Sequence, residues 1–274
     1  MDQTYKHMAL DEPFVLSADG WVYRWRTMEG KYPQLRAGIT TREAPILKFH
    51  TPYADDETVR AHRALFERSI GVEAHTMTFA EQIHGDGVYV VRETDIGRGS
   101  NFAHEAIPQT DALVTTLIGV PLIIFVADCA PLFFYDPKKK VIALVHAGWR
   151  GTAADILRRV LQVLDGLGVM RTHLHVAIGP CIHGTVYEVD DPVIDALSKV
   201  DADSLKAASK KTRPGHYMLD LPTFHRLLLE KEGIPKGHVE SSHYCTYTHA
   251  RHFYSYRREG SLAGRMAAYM VQLS

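Results

Sequence analysis

The sequence predicts a single domain of intermixed strands and helices, and three observations carry that prediction. Pro121 to Ala127 and Val141 to Val145 are short apolar runs that hardly alternate, the pattern of strands buried on both faces. Two longer stretches, 55–71 and 152–167, repeat apolar residues at helical spacing. No internal repeat, low-complexity tract or linker divides the 274 residues, a length that one large core accommodates.

Taken in order, residues 1–13 are expected to form a loose terminus. Phe14–Leu16 and Trp21–Trp25 read as a hairpin around Asp19-Gly20, and Leu35–Thr41 as a strand leading into Arg42. Asp55 or Asp56 caps a helix whose Val59, Phe66 and Ile70 share a face, and Gly71 stops it. Thr76–Ala80, Val88–Val91 and Ala112–Thr116 are strands, with a polar loop from Gly97 to about Thr110. A second helix is expected over Thr152–Leu167, with Ile156, Leu157, Val160, Leu161 and Leu164 as its stripe and Gly166 and Gly168 at its end. Leu174–Ile178 is a strand closing on Gly179-Pro180-Cys181, and Pro192–Val200 a helix. Asp201–His216 reads as polar, basic and mobile. Asp220 precedes a helix that starts near Pro222 and ends at Gly233. His243–Tyr256 reads as strand plus loop, and Gly264–Leu273 as a short terminal helix.

Composition narrows the function. Apolar residues make up 46% and charged residues 23%, with a net charge of −1, which argues against a nucleic-acid partner held by bulk charge. Leu117–Val126 is too short to span a membrane, and MDQTYKHMALDEPF has no apolar core of a secretory signal. Cys129, Cys181 and Cys245 lie far apart and form no CxxC pair, so a reduced, cytoplasmic protein is expected. Nothing in the chain sets an oligomeric state.

The residues with chemistry cluster around the two apolar runs. The first runs into Asp128 and Cys129, the second into His146, and strand ends are common places for ligands and catalysis. His84, in Gln82-Ile83-His84-Gly85, adds a second imidazole. Two His and one Cys suit zinc with a fourth position open for water or substrate. Cys129 and His146 also suit a nucleophile and its base, with Asp128 orienting the histidine. The plain alternative is a buried thiol and two hydrogen-bonded histidines, and on spacing alone that alternative leads. Gly148-Trp149-Arg150-Gly151-Thr152 enters a helix, where unpaired N–H groups and Arg150 would attract an anion; a tight turn with a surface Arg fits it equally. Arg42, Arg257 and Arg265 are further anion candidates, whereas Arg258 reads as a solvated surface arginine. Tyr244, Tyr247, Phe253, Tyr254 and Tyr256 read as core, and His238, His243, His249 and His252 receive no role.

Several phrases together resemble one family. They are AGITTR (37–42), QIHGDGV (82–88), TDALVTT (110–116), ADCAPLFFYDP (127–137), ALVHAGWRGT (143–152), AIGPCI (177–182), YEV (187–189), LDL (219–221), CT (245–246) and FYSYRREGSLAGR (253–265). In this order they resemble the YfiH-like family, also called the laccase-domain or multicopper polyphenol oxidase family, over most of the chain from about residue 35. Two departures stand out: Glu43-Ala44-Pro45-Ile46 replaces a glycine-rich phrase, and Tyr254 stands in a usual Phe-Phe pair.

The resemblance implies an α+β fold, a single domain with mixed β-sheets covered by helices in α/β/β/α layers. It implies that His84, Cys129 and His146 bind a catalytic metal, taken as zinc, and that they form the catalytic centre. It implies a purine nucleoside phosphorylase acting with phosphate on adenosine, inosine and methylthioadenosine, with adenosine deaminase activity. Arg42, Gln82, Asp128, Arg150 and Arg257 are the residues expected to hold substrate. Zinc-bound water ionises near pH 7, and hydroxide there suits attack on C6 of adenine. Copper, implied by the older oxidase label, fits less well, because one thiolate site lacks the several centres and the Met arrangement of copper proteins. The rivals are a hydrolase editing peptidoglycan precursors and a binding protein with a structural metal.

Overall fold

The computed structural model describes residues 11–274 and shows the expected α+β domain, built on two six-stranded mixed sheets packed face to face. The strands are β1 (Phe14–Leu16), β2 (Val22–Trp25), β3 (Leu35–Thr40), β4 (Thr78–Phe79), β5 (Val88–Val90), β6 (Ala112–Thr115), β7 (Leu122–Val126), β8 (Ala130–Asp136), β9 (Val141–Ala147), β10 (His175–Ile178), β11 (Glu188–Asp190), β12 (Ser209–Arg213), β13 (His216–Leu219), β14 (Val239–Ser241) and β15 (Met266–Gln272). The first sheet runs β1-β2-β3-β15-β7-β4, the second β14-β10-β8-β9-β6-β5, and a small third sheet β11-β13-β12.

Side-chain alternation builds the layers. In β8 and β9, Leu132, Phe134, Ala143 and Val145 face the helices Ile156–Gly166 and Leu221–Lys231. Their neighbours Phe133, Tyr135, Ile142 and Leu144 face the other sheet, where Ile124, Met266 and Met270 meet them. On the first sheet's far side, Ile123, Tyr269 and Ala267 pack on Phe66 and Ile70 of the Asp56–Ile70 helix. Both faces of the central strands are therefore buried, which is why their sequences are apolar without alternating. Among the described residues no helix is long and apolar enough to cross a membrane.

Several expectations need correction. Gly264–Leu273 holds no helix: Met266–Gln272 is a fully buried strand between β3 and β7. A double-sided burial removes the period that separates strand from helix, and its alanines fit either state. The Thr152–Leu167 helix is two pieces, Trp149–Ala153 and Ile156–Gly166, broken at Asp155 with φ 67. Asp201–His216 is ordered, as the Ala202–Ala208 helix and the β12–β13 hairpin, with Asp201 capping the helix through Ser204. His243–Tyr256 forms no strand beyond a bridge of Cys245 to Cys181. Of the loose terminus, residues 1–10 lie outside the described residues, but Glu12 is buried and accepts from the backbones of Phe14 and His243. Arg258 is no surface arginine: it donates to the carbonyls of Thr246, Tyr247 and Phe253 and pairs with Glu259.

Two features of this architecture place the site. The chain leaves the first sheet at Val126 and enters the second at Ala130, so Asp128 and Cys129 lie in a sharp crossover, with Asp128 at φ 86. The β8–β9 register sets Ala130 against Ala147 and Pro131 against His146, which brings Cys129 next to Gly148.

Because β15 holds the middle of the first sheet, a chain ending before Met266 is expected to lose cooperative folding. A sharp thermal transition for that truncated chain, followed by circular dichroism, would contradict this role for the strand.

Candidate metal centre and its cavity

The centre starts from backbone pairing. β6 runs antiparallel to β9, and one residue before β6 the carbonyl of Asp111 accepts from the His146 amide at 2.7 Å. The Asp111 side chain turns the same way, and its Oδ1 lies 2.8 Å from Nδ1 of the His146 ring. It also accepts from the amides of Ile83, His84 and Gly85 at 3.1, 3.0 and 2.8 Å. One carboxylate thus orients one imidazole and fastens the loop carrying the other, which sits at φ 60. The ligand-type atoms of His84, Cys129 and His146 all lie within 4.8 Å of one another.

The close packing of these groups explains two glycines. A Cβ on Gly148 would stand 2.6 Å from Sγ of Cys129, and one on Gly151 would stand 2.7 Å from the carbonyl oxygen of Gly85. Any larger residue at 148 would occupy the space of the thiol.

Electrostatics prepare the same three groups. Burial opposes a thiolate at Cys129, but the His146 charge and hydrogen bond, with His84 behind them, pull its pKa down to about 6. Burial likewise opposes an imidazolium at His146, yet Cys129 and Asp111 push its pKa up to about 9. Burial raises Asp111 too, and the hydrogen bond from His146 and the Gly85 and Ile83 amides outweigh it, leaving the carboxylate ionised. A thiolate and two imidazoles, one held by a carboxylate on its far nitrogen, fit a zinc-type centre.

The trio opens into a cavity of ≈ 720 Å³. Of the residues expected to hold substrate, Gln82, Asp128, Arg150 and Arg257 line it and Arg42 does not. The Arg42 guanidinium is occupied elsewhere, by the Ala250 carbonyl, Glu259 and the Tyr254 ring. Gln82 spends its amide on the backbone of Phe125, accepting at 2.7 Å and donating at 2.8 Å, so it positions the His84 loop. Asp128 does not hydrogen-bond to the His146 ring, whose Nδ1 is paired with Asp111 instead. Asp128 accepts from Thr246 at 2.6 Å, Ser255 at 3.0 Å and the Arg257 amide at 2.6 Å, tying three segments into one wall. Arg150 lies over Trp149, in a helix of only five residues, and Arg257 lies over Tyr187. Of the aromatic residues read as core, Phe253 is buried, whereas Tyr256 is 55% exposed and lines the cavity.

Residue reasoning assigned no role to Asp111 or Lys48. Asp111 lies within the TDALVTT phrase, which marks its position without its partners; Lys48, in an irregular segment, gave no local signal.

Comparison with known proteins shows the family and the fold. A family model described as "Multi-copper polyphenol oxidoreductase laccase" matches residues 45–272, and the chain belongs to that family. The chain is 31% identical to the purine nucleoside phosphorylase YlmD of Bacillus subtilis, over 97% of this chain and 98% of that protein. It is 36% identical to the purine nucleoside phosphorylase YlmD of Geobacillus stearothermophilus, over 94% and 96%. The crystal structure of the Geobacillus stearothermophilus YlmD superposes with a TM-score of 0.89 at 30% identity, covering 96% of this chain and 100% of that one. A Bacillus licheniformis protein titled hypothetical protein YfiH gives the same TM-score at 29% identity, over 96% and 99%.

Asp111→Asn removes the charge that orients the His146 ring and fastens the His84 loop. Zinc affinity, measured by competition with a chromophoric chelator, is expected to fall by about 10- to 100-fold; an unchanged affinity would remove Asp111 from the centre.

In metal-free protein, iodoacetamide is expected to alkylate Cys129 with a midpoint near pH 6, below the pKa of about 8.5 of an ordinary thiol. The thiolate is the reactive form, so labelling rises with pH through that midpoint, and added zinc should protect. Cys181 and Cys245, both buried, serve as unreactive controls. A midpoint above pH 8 would deny the pairing with His146.

Proposed function

From its membership of that family and from this geometry, we propose that the chain is a zinc-dependent purine nucleoside phosphorylase. The observation that carries the reading is one cavity joining the His84–Cys129–His146 trio to four cationic side chains, Lys48, Arg150, Arg257 and Arg265. Among the described residues the sole carboxylate in its lining is Asp128, whose two oxygens are already taken. Such a cavity suits an anionic reactant beside a nucleoside. In phosphorolysis a phosphate oxygen bonds to the anomeric carbon while the bond from that carbon to the base nitrogen breaks. The electron pair leaves on the purine, which takes up a proton.

The donor set supports zinc over copper. Thiolate tends to reduce Cu(II), and among the described residues one group of three His/Cys/Asp/Glu ligands converges, whereas oxidase chemistry over several coppers needs more than one. When bound, zinc would supply a Lewis acid and an activated water. The chain does the rest: Asp111 keeps His146 and His84 in place, Trp149, Tyr187 and Tyr256 offer aromatic faces to a purine, and Arg150 and Arg257 hold polar groups of the nucleoside. Adenosine, inosine and methylthioadenosine are the proposed substrates. Adenosine deamination, in which water replaces the 6-amino group and ammonia leaves, is the proposed second reaction. The three free cysteines support a place in a reducing cytoplasm.

The test compares zinc-loaded protein acting on inosine with and without phosphate. Hypoxanthine and ribose 1-phosphate are expected only with phosphate. Cys129→Ala should cut turnover by more than about 100-fold, beyond the loss from an outer-shell partner, and lower the zinc content from near one per chain while the fold survives. Product that forms equally without phosphate would sink the phosphorylase reading, and normal turnover by the variant would sink the ligand role.

A further inference from the structure

We propose that Lys48 and Arg265 form the subsite for inorganic phosphate, separate from the pair Arg150 and Arg257. The identity of the anion rests on the phosphorylase reading above; its place rests on the following geometry.

Beside the large cavity lies a smaller one of ≈ 140 Å³, walled by Ile46, His50, Thr51, Tyr53, Tyr254 and Ser261 among others. Lys48 and Arg265 are the two residues that line both cavities. The smaller one falls below the roughly 300 Å³ at which small-molecule pockets begin, so it has no room for a nucleoside. Its polar groups, and the two cations at the junction, match a small tetrahedral anion.

The two side chains also have donors free for such an anion, since neither is buried. Among the described residues Lys48 has no side-chain hydrogen bond or ion pair, and its ammonium stands 5.1 Å from the centre of the Phe125 ring. It therefore keeps three N–H donors free. Among the described residues Arg265 donates only to the carbonyls of its own loop, Ala263 and Gly264, through one nitrogen, and its guanidinium stands 5.9 Å from the Tyr256 ring. Neighbouring protein that displaces water first, then Arg265 and Arg63, push the Lys48 pKa down, although the side chain keeps access to solvent. Two like charges thus meet at one cavity wall with no carboxylate between them. A doubly charged anion there would relieve the repulsion and raise the Lys48 pKa again.

The other pair is built differently. Arg257 donates to the Glu188 carbonyl at 2.8 Å and lies 4.9 Å from the Tyr187 ring; Arg150 lies 4.4 Å from the Trp149 ring. Both are laid on aromatic surfaces in a wall shared with Ile182 and Leu221, a lining suited to an apolar base and its sugar. The division leaves the free cations to the free anion.

Calorimetric titration of zinc-loaded protein with inorganic phosphate tests the assignment. Wild type is expected to bind one phosphate. Lys48→Met and Arg265→Met should each weaken it about tenfold or more, the effect of losing one charge-assisted hydrogen bond, and Lys48→Arg should keep affinity within about threefold. Arg257→Met should raise KM for inosine and leave phosphate affinity within about threefold. If wild type binds no phosphate, if the Met variants bind as wild type does, or if Arg257→Met loses as much as they do, the assignment is overturned. Should Arg265→Met fail to fold, Lys48→Met decides, since Lys48 holds no hydrogen bond in the fold. Phosphate bound at this pair without any phosphate-dependent cleavage of inosine would sustain the anion site while rejecting the phosphorylase reading.

Discussion

The Asp111 carboxylate is the one interaction on which the centre depends. It is fully buried and takes four hydrogen bonds, three from successive amides of the His84 loop and one from the His146 ring. Bonds to a charged group contribute about 1.5 to 3 kcal/mol each, enough together to offset the cost of burying the carboxylate. They also hold His84 in a left-handed backbone conformation that a non-glycine residue seldom adopts. With His146 Nδ1 engaged, its other nitrogen is left to face the thiol, and the tautomer follows from the same contact. Remove the carboxylate, and the loop, the ring and the charge balance of Cys129 all lose their reference.

That arrangement follows from the sheets rather than from any local motif. The β6–β9 ladder carries Asp111 to His146, the β8–β9 ladder carries Cys129 to Gly148, and the parallel β5–β6 pair brings the preceding loop alongside. Gly148 is then required because Sγ fills the place of a side chain. The thiol and the imidazole also answer each other electrically: each shifts the other toward the charged form despite burial. A cation that replaces the imidazolium proton would find a thiol already drawn toward its thiolate.

What could be read from the chain depended on the range of the interaction. The Asp56–Ile70 helix was readable because its cap, stripe and terminal glycine are all local. The strands flanking Cys129 and His146 were readable as buried runs. The same double-sided burial misled at Met266–Gln272, where alanines and a lost period resemble a helix. Asp155 broke a helix whose apolar stripe looked continuous, through a backbone conformation that no residue pattern announces. For the site, residue type suggested the His–Cys–His trio, spacing could not raise it above chance, and the family phrases did. Asp111 escaped because its partners lie 26 to 35 residues away. Asp128 was misread because its bonds run to residues 118 to 129 positions onward, and only the fold brings them near.

The cavity lies at the seam of the two sheets, and this imposes a constraint of its own. His146 and the thiol belong to the second sheet or its entrance, whereas Phe125 lies near the end of β7 in the first sheet and Arg265 immediately precedes β15. The distance from the trio to Arg265 is thus tied to the spacing of the sheets, set by the Phe133, Tyr135, Ile142, Leu144, Met266 and Met270 core between them. Interiors this closely packed transmit small volume changes. A large-to-small change in that layer would let the sheets settle and shift Arg265 against the trio, without touching any group in the cavity. Reactions that join two reactants lose rate steeply for misplacements near 1 Å. Selection on this core is therefore selection on the site, and side chains far from the chemistry carry part of its geometry.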